Sequence, residues 1–550
     1  MITDRLQDLV LQALETLQQE GVLTVETPPV VEFERPRRRE HGDWSTNVAL
    51  AVAGGKALPR EIAAALVERL SASDLLERAE VAGPGFVNFH LTPKWLHDVV
   101  RLACDPGSNF GRSNVGAGTS VNVEYVSANP TGPISVVSGR HAAVGDAISN
   151  LLAAIGHSVT REFYVNDAGR QIELFGRSIQ ARLQELKGAE AQIPEGGYAG
   201  QYVLDLARRI ATEQPELASP ESKDLSTITE LGVGMMLQAM KSSLERFGTS
   251  FDLWRSERDL HQAGAVRGVV ERLRSAGLAF EGEGATWFAA SRFGDDKDRV
   301  LTRATGETTY LASDAAYLVD KFNRAFDGLI YLWGADHHGT VARLVGMAEA
   351  LGFNREAVEV LLVQIVTLSE GGKALKGSKR AGVIVELDQL VDEVGVDAAR
   401  YTFLSRSIDA HLDFDIELVK QQAPENPVYY VQYAHARISS ILRKATEEGF
   451  STDPATADLA RLTHDSEIEL MRKLASFEEL VLWAAQRRAP HRVAGYLEEL
   501  AAAFSAFYRD CRVMSEDVGL SDARLSLCIA TRRTIADGLG LLGVGAPERM

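Results

Sequence analysis

The sequence predicts a multidomain α/β protein in which an open parallel sheet lies between an N-terminal α+β domain and a C-terminal all-α helix bundle. Three observations predict it. Apolar strand-like and amphipathic helix-like segments alternate from about 120 to 420. Four polar clusters fall at the ends of the apolar strands, where open parallel sheets bind their ligands. Beyond about 420 the periodicity is helical, with few strand signals and many Ala, Leu, Arg and Glu. At 550 residues the chain also exceeds what one hydrophobic core spans.

Residues 1–115 open with an amphipathic helix whose apolar stripe is Leu6, Leu9, Val10, Ala13, Leu14 and Leu17. The basic run Arg35-Pro-Arg-Arg-Arg39 follows, then Glu40-His-Gly-Asp43. Gly83-Pro-Gly-Phe-Val-Asn-Phe-His-Leu91 reads as a turn and a strand, and 105–119 as a Gly-, Ser- and Asn-rich linker. The central domain, 116–420, begins with a strand in which Val121, Val123 and Tyr125 alternate with Asn122 and Glu124. The loop Ser127-Ala-Asn-Pro-Thr-Gly-Pro-Ile-Ser-Val-Val-Ser-Gly-Arg140 leads into a helix marked by Val144, Ile148, Leu151, Leu152 and Ile155 and stopped by Gly156. A second strand, Val159–Val165, ends at Asn166-Asp-Ala-Gly-Arg-Gln171, and a mostly helical, polar insertion is expected near 175–285. A further strand over 328–333 leads into Gly334-Ala-Asp-His-His-Gly339, and one over Val358–Leu368 leads into a Gly-rich loop with several lysines. Residues 421–550 form the helical domain.

The composition, 45% hydrophobic and 24% charged, is that of an ordinary globular protein. A net charge of −18 argues against simple electrostatic coating of nucleic acid or an anionic membrane, while leaving room for a local basic RNA-binding surface. No run reaches the roughly 18 apolar residues of a membrane span. Met1-Ile-Thr-Asp-Arg-Leu-Gln-Asp8 has neither the basic nor the apolar region of a secretion signal. Cys104, Cys511 and Cys528 stand too far apart for a zinc spacing or a disulfide framework. They read as buried thiols, and a cytoplasmic location is expected.

A Gly/Pro/Ser/Thr loop between strand and helix turns free N–H groups and hydroxyls toward the helix N-terminus, which suits phosphate. Lys376 and Lys379, with Arg380 beside them and Gly371, Gly372 and Gly377 around them, read either as a solvated basic turn or as cations for a polyphosphate. Tyr310-Leu-Ala-Ser-Asp314 places Tyr310 and Asp314 on one face of a helical turn, although Asp314 also fits a helix N-cap. Tyr429, Tyr430 and Tyr433 offer aromatic faces to unstacked bases, with at least one expected to pack between helices. Arg487, Arg488, His491 and Arg492 suit a phosphate backbone about as well as a solvated helix end. His337-His338 has no Cys, third His or Glu at ligand spacing, so no structural metal is expected.

Taken together, Ser127-Ala-Asn-Pro-Thr-Gly-Pro133, Lys376-Gly-Ser-Lys-Arg380 and Glu425-Asn-Pro-Val-Tyr-Tyr-Val-Gln-Tyr-Ala-His-Ala-Arg437 resemble class I arginyl-tRNA synthetases. The resemblance runs from Glu40-His-Gly-Asp43 to Ala546-Pro-Glu-Arg-Met550. It implies a Rossmann-type catalytic domain, an N-terminal domain that contacts the tRNA elbow and a helical anticodon-binding domain. It implies activation of arginine by ATP, with Mg2+ alongside the ATP, and transfer of the arginyl group to tRNA(Arg). It implies no membrane or protein partner, and a monomer. Residue by residue, it places ATP at Pro130, Thr131, Gly132, Pro133, Ile134, Ser135, Val136, Val137, Ser138, Gly139, Arg140, Asp336, His337, Lys376, Ser378 and Lys379. Of these, Ser135, Ser138, Lys376 and Lys379 take the catalytic positions. Arginine falls to Glu124, Asn129, Tyr310, Asp314 and His337, with Asp314 on the guanidinium. The tRNA falls to Arg37, Arg38, His41, Asp43, Tyr429, Tyr433, Arg437 and Arg492.

The chain departs from the pattern in one place. Such synthetases usually read His, apolar, Gly, His where this chain has Ser135-Val-Val-Ser138. Serine still donates to phosphate but is neutral, and the methyl groups of Val137 crowd the place where adenine lies against glycine. Where Met is usual before the loop's serine, this chain has Gly377. His141 lies one further turn along the helix and is expected to be exposed. Two readings follow: an active ligase with a divergent loop, or a paralogue that binds tRNA or arginine but has lost or altered activation. A nucleotide-binding transferase unconnected with tRNA leaves the matches at both chain ends unexplained. If the loop is active as it stands, Ser135→His leaves arginine-dependent ATP–pyrophosphate exchange unchanged or modestly raised, whereas a large loss assigns Ser135 a role that histidine does not fill.

Overall fold

The computed structural model describes residues 2–23, 29–36, 38–53, 58–70, 73–190, 192–219, 224–371, 373–374 and 385–550. The chain forms two compact units. One comprises Met1–Phe110, Ile438–Glu479 and Ala502–Thr534, and the other Gly111–Arg437, Leu480–Ala501 and Ile535–Met550.

In the first unit, helix Ile2–Gln19 buries Leu6, Val10, Ala13, Leu14 and Leu17, the stripe read from the sequence, with Leu9 half-buried. A four-stranded antiparallel sheet runs in the order Phe33–Glu34, Trp44–Thr46, Phe86–Leu91, Leu76–Ala82. Its last strand carries Glu77, Arg78 and Glu80 among its apolar residues and gives no alternation, so only Phe86–Leu91 was legible as a strand. The unit also holds helices Lys94–Cys104, Asp465–Ala475 and most of Val518–Leu541. Burial pushes the thiols of Cys104 and Cys528 up to about 12, and Cys511 is also a buried free thiol.

The second unit is built on five parallel strands: β1 (Ser120–Glu124), β2 (Ser158–Val165), β3 (Leu253–Ser256), β4 (Gly328–Gly334) and β5 (Val358–Val363). Their spatial order is 3-2-1-4-5. The direction of winding reverses between β1 and β4, and the crevice outside the carboxyl ends of those two strands is where such sheets bind ligands. Helix α1 (Val136–Ala154) follows β1 and is buried on nearly every side, as its mostly apolar and small residues require. Helices α2 (Arg170–Leu186), α3 (Gln201–Glu213) and α4 (Leu225–Arg246) follow β2, α5 (Tyr310–Asn323) precedes β4, and α6 (His338–Ala350) follows it.

Two segments differ from the sequence reading. The region near 175–285 is helical through Arg246 but then returns to the sheet as β3, four residues that include Arg255 and are too short to show a period. The expected strand 358–368 is two strands. β5 ends at Val363, and Val366–Glu370 joins a separate sheet with Lys373–Ala374 and Leu412–Asp415. From Pro427 onward every regular element among the described residues is helical. No helix among them is long and apolar enough to cross a membrane.

Arg400 ties this unit together. Its side chain is fully buried and ion-paired with Asp146 of α1. It also donates to the carbonyls of Phe247 and Gly248 at 3.1 Å, to Thr249 Oγ1 at 3.0 Å and to the Leu542 carbonyl at 3.2 Å. Removing one partner of such a pair strands a buried charge, at a cost of about 3–5 kcal/mol. Arg400→Met and Asp146→Asn are therefore each expected to lower the thermal midpoint clearly, and the double variant by less than the sum, in melting curves of the full chain.

Candidate active site

The site lies in the second unit, at the switch point of its sheet. The backbone after β1 is bent sharply. Ser127 N–H donates to the Tyr125 carbonyl at 3.0 Å, and Val126 and Ser127 have φ of 69° and 40°. A β-branched residue in that region is strained. The turn is held by Ser127 Oγ, which accepts from Tyr164 N–H on β2 at 3.1 Å. Asn129 is then fixed from two sides: Asn166 donates to its Oδ1 at 3.0 Å, and its own amide donates to Gln171.

Beyond the turn, Ser135 is the N-cap of α1. Ser138 N–H donates to Ser135 Oγ at 3.3 Å, and the two hydroxyls are 3.1 Å apart. A helix N-terminus favours anions, although here Ser135 Oγ and the Val385 carbonyl already engage the N–H groups of Ser138 and Val136. Val136 N–H donates to the Val385 carbonyl at 3.1 Å and Leu387 N–H to the Ile134 carbonyl at 2.8 Å. The chain that resumes after the lysine segment is thus paired with the loop itself. Lys376, Ser378, Lys379 and Arg380 lie outside the described residues, as does Arg37.

A cavity of about 460 Å³ opens here. Asn129, Thr131, Gly132, Pro133, Ser135, Val137 and Ser138 line it from the loop, and Gly334, Asp336 and His337 from the end of β4. Pro130, Ile134, Val136, Gly139 and Arg140 are not brought to it, because alternate loop positions and the inner face of the helix pack into the core. Arg140 is fully buried and donates to the carbonyls of Gln364 at 2.7 Å, Ser407 at 3.0 Å and Ala410 at 3.1 Å. A Cβ on Gly139 would stand 2.6 Å from Leu387. Val137, 43% exposed, does project into the cavity. His141 is buried and lines the cavity, where an exposed residue was expected. The burial of α1 explains this: the residues around His141, from Gly139 to Ser149, are all buried.

The wall also contains residues that the sequence did not announce. Tyr198 and Tyr202, from and before α3, line the cavity with Gln171. Tyr202 OH donates to the Thr131 carbonyl at 2.9 Å. They sit in the polar insertion, where two tyrosines four residues apart carry no signal of their own.

Helix α5 begins at Tyr310, which is 66% exposed, so Asp314 lies inside its first turns and not at the N-cap. Burial, with Glu257 and Glu124 nearby, pushes the Asp314 carboxyl up to about 7. Glu257 is buried and also raised, chiefly by burial. Glu124 is buried and ion-paired with Lys321 Nζ at 2.6 Å. Beside it, Glu162 on β2 accepts from Tyr317 OH at 2.6 Å, from Arg324 at 2.7 and 2.9 Å and from Asn122 at 2.5 Å.

Of the remaining predicted residues, Arg38 is exposed and 3.4 Å from Glu40, and His41 Nε2 is 3.8 Å from the same carboxylate. Asp43 accepts from Leu91 N–H at 2.9 Å and lies 3.7 Å from Arg472, so it fastens its own sheet. Tyr429 and Tyr433 stack at 6.1 Å, Arg437 lies over Tyr433 at 5.9 Å, and Arg492 lies over Trp483 at 5.2 Å. His435 is buried against the Pro547 carbonyl at 2.8 Å. Arg488 pairs with Glu359 at 3.0 Å. No group of three or more His, Cys, Asp or Glu among the described residues is arranged to hold a metal.

The 3-2-1-4-5 sheet, the capped loop after β1 and the polar end of β4 are those of a class I aminoacyl-tRNA synthetase. The methionyl-tRNA synthetase of Mycobacterium tuberculosis, 12% identical, shares the fold with a TM-score of 0.55 over 77% of this chain and 91% of that one. The family model "tRNA synthetases class I (R), catalytic domain" matches 108–409, "Arginyl tRNA synthetase N terminal domain" matches 4–91 and "DALR anticodon binding domain" matches 431–550. The chain belongs to the arginyl-tRNA synthetase family. It is 46% identical to the arginine–tRNA ligase of Carboxydothermus hydrogenoformans over 96% of each chain, and 47% identical to that of Frankia alni over 99% of each. The arginyl-tRNA synthetase of Thermus thermophilus, 25% identical, superposes with a TM-score of 0.76 over all of both chains.

Proposed function

We propose that the protein is an active arginine–tRNA ligase whose ATP occupies the switch-point cavity and whose arginine reaches from Asn129 to Asp314. The observation that carries this reading is the cavity at the switch point of the sheet, lined by Asn129, by Ser135 at the N-terminus of α1 and by Asp336, in a chain whose residues 108–409 match the class I catalytic domain. The arginine carboxylate attacks the α-phosphorus of ATP, pyrophosphate leaves, and a hydroxyl of the tRNA's terminal ribose then attacks the arginyl carbonyl and releases AMP.

The loop and the N-terminus of α1 supply N–H and hydroxyl donors to phosphate, and Lys376 and Lys379 supply positive charge to the leaving pyrophosphate. Asn129, clamped by Asn166 and Gln171, orients the substrate amine, and Tyr310 covers the guanidinium bound by Asp314. Magnesium would come with ATP and supply charge neutralisation at its phosphates, and Asp336, which lines the cavity, is the carboxylate that would help to hold it. The stacked Tyr429–Tyr433 pair with Arg437 offers a platform to unstacked tRNA bases, and Arg38, His41 and Arg492 offer polar contacts. The buried thiols support a reducing, cytoplasmic setting.

Arginine-dependent ATP–pyrophosphate exchange, with and without tRNA(Arg), tests the reading. Exchange that requires tRNA is expected, because the family generally needs its tRNA for activation, whereas tRNA binding with neither exchange nor charging overturns it in favour of a paralogue. Asp314 adds a pH dependence. A carboxyl that burial raises to about 7 must ionise to pair with guanidinium. Arginine affinity is therefore expected to be flat above that pH and to fall roughly tenfold per unit below it, with proton release seen as buffer-dependent heats in calorimetry. Asp314→Asn removes this dependence and weakens binding.

A further inference from the structure

Between Pro130 and Pro133 the loop after β1 has few backbone donors. Proline carries no N–H, so only Thr131 and Gly132 supply one. The Thr131 N–H is already spent on the Asn129 carbonyl at 2.8 Å. Among the described residues no group accepts from the Gly132 N–H, and Gly132 lines the cavity. That N–H belongs to the same peptide as the Thr131 carbonyl, to which Tyr202 OH donates at 2.9 Å. The peptide is trans, so its N–H points away from the hydroxyl that holds its carbonyl. A hydrogen bond on the carbonyl also polarises the peptide and makes its N–H a better donor.

Tyr202 is itself firmly placed. It is half-buried in the first turn of α3. A Cβ on Gly200 would stand 2.4 Å from its ring, so the turn into α3 needs glycine there for the ring to fit. Just before that turn, Tyr198 N–H donates to Ser178 Oγ at 2.9 Å, and the Tyr198 ring meets Phe175 edge-on at 5.5 Å. Both partners belong to α2, so the start of α3 is fastened there and Tyr202 carries the fastening to the loop. Asn129, at the other end of the segment, is clamped separately by Asn166 and Gln171. We propose that Tyr202 is a positioning residue of the reaction: it holds the Thr131–Gly132 peptide so that the Gly132 N–H donates to an anionic oxygen of the reacting pair, either a phosphate oxygen of ATP or the arginine carboxylate. The proposal rests on the cavity being the site of activation.

The test is ATP–pyrophosphate exchange with tRNA(Arg) present, at varied ATP and at varied arginine, for the unsubstituted protein, Tyr202→Phe, Gly132→Ala and the double variant. Tyr202→Phe keeps the ring and removes only the hydroxyl. It is expected to raise one of the two KM values roughly three- to tenfold, with the other KM and the thermal midpoint unchanged. A rise for ATP assigns the oxygen to phosphate, and a rise for arginine assigns it to the carboxylate. An equal rise in both, as general loosening produces, or a rise in neither, overturns the proposal. Gly132→Ala presses on the same contact, because its Cβ would lie 3.3 Å from the Tyr202 hydroxyl but at an ordinary 3.5 Å from the ring carbon behind it. Its effect is therefore expected to be smaller in the Tyr202→Phe background than alone, whereas effects that simply multiply show that the two residues do not act through one contact and overturn the proposal. No exchange by the unsubstituted protein removes the reading of the site, and the proposal with it. Exchange by that protein with Tyr202→Phe indistinguishable from it removes the proposal alone.

Discussion

Glu124 and Glu162 lie side by side on β1 and β2, inside the sheet, and their neutralisation constrains the architecture around them. A carboxylate taken out of water without a partner costs several kcal/mol. Both are answered from one helix: Lys321 reaches Glu124, while Tyr317 and Arg324 close on Glu162. Tyr310, Asp314, Tyr317 and Lys321 recur at helical spacing on one face of α5. Fixing the last turns of that helix against the sheet therefore also fixes the direction in which its first turns, with Tyr310 and Asp314, leave the sheet.

The loop after β1 is prepared in the same sense. The strained turn at Val126 and Ser127, the double clamp on Asn129, the Tyr202 bond to Thr131 and the Ser135 cap hold the loop through contacts within the protein itself. Donors held in this way lose little to reorganisation when charge develops nearby. Ser135 and Ser138, which stand where the family usually has histidines, are joined by the N-cap of α1.

Much of this was legible in the sequence. β1, β2, β4, the helical C-terminal region and the polar clusters at strand ends announce themselves through period and punctuation, while Asn129, Asp336 and His337, named on the family resemblance, line the cavity at those ends. What escaped was set by tertiary context. β3 is too short to show alternation. Arg140 carries a charge and stands in the loop-to-helix run, which reads as ligand-binding until the carbonyls of Gln364, Ser407 and Ala410 are seen around it. His141 reads as exposed on a helix that is in fact enclosed. Lys321 and Arg324 look like an ordinary basic helix end, since nothing local reveals the carboxylates folded beneath them. Tyr198 and Tyr202 reach the cavity from an insertion whose path back to the sheet no local pattern encodes.

The bond from Arg400 to the Leu542 carbonyl has a consequence for biosynthesis. The two residues are 142 positions apart in sequence. At about 5–20 residues per second, Leu542 leaves the ribosome on the order of 10–30 s after Arg400. Until then the Arg400 guanidinium and Asp146 lack the closing carbonyl, and Gln432 and His435 lack Gly545 and Pro547, which they bond at 2.8 Å. The catalytic unit is thus completed by residues translated well after its sheet. A nascent chain carries its sheet and its crevice well before it carries the contacts that lock them.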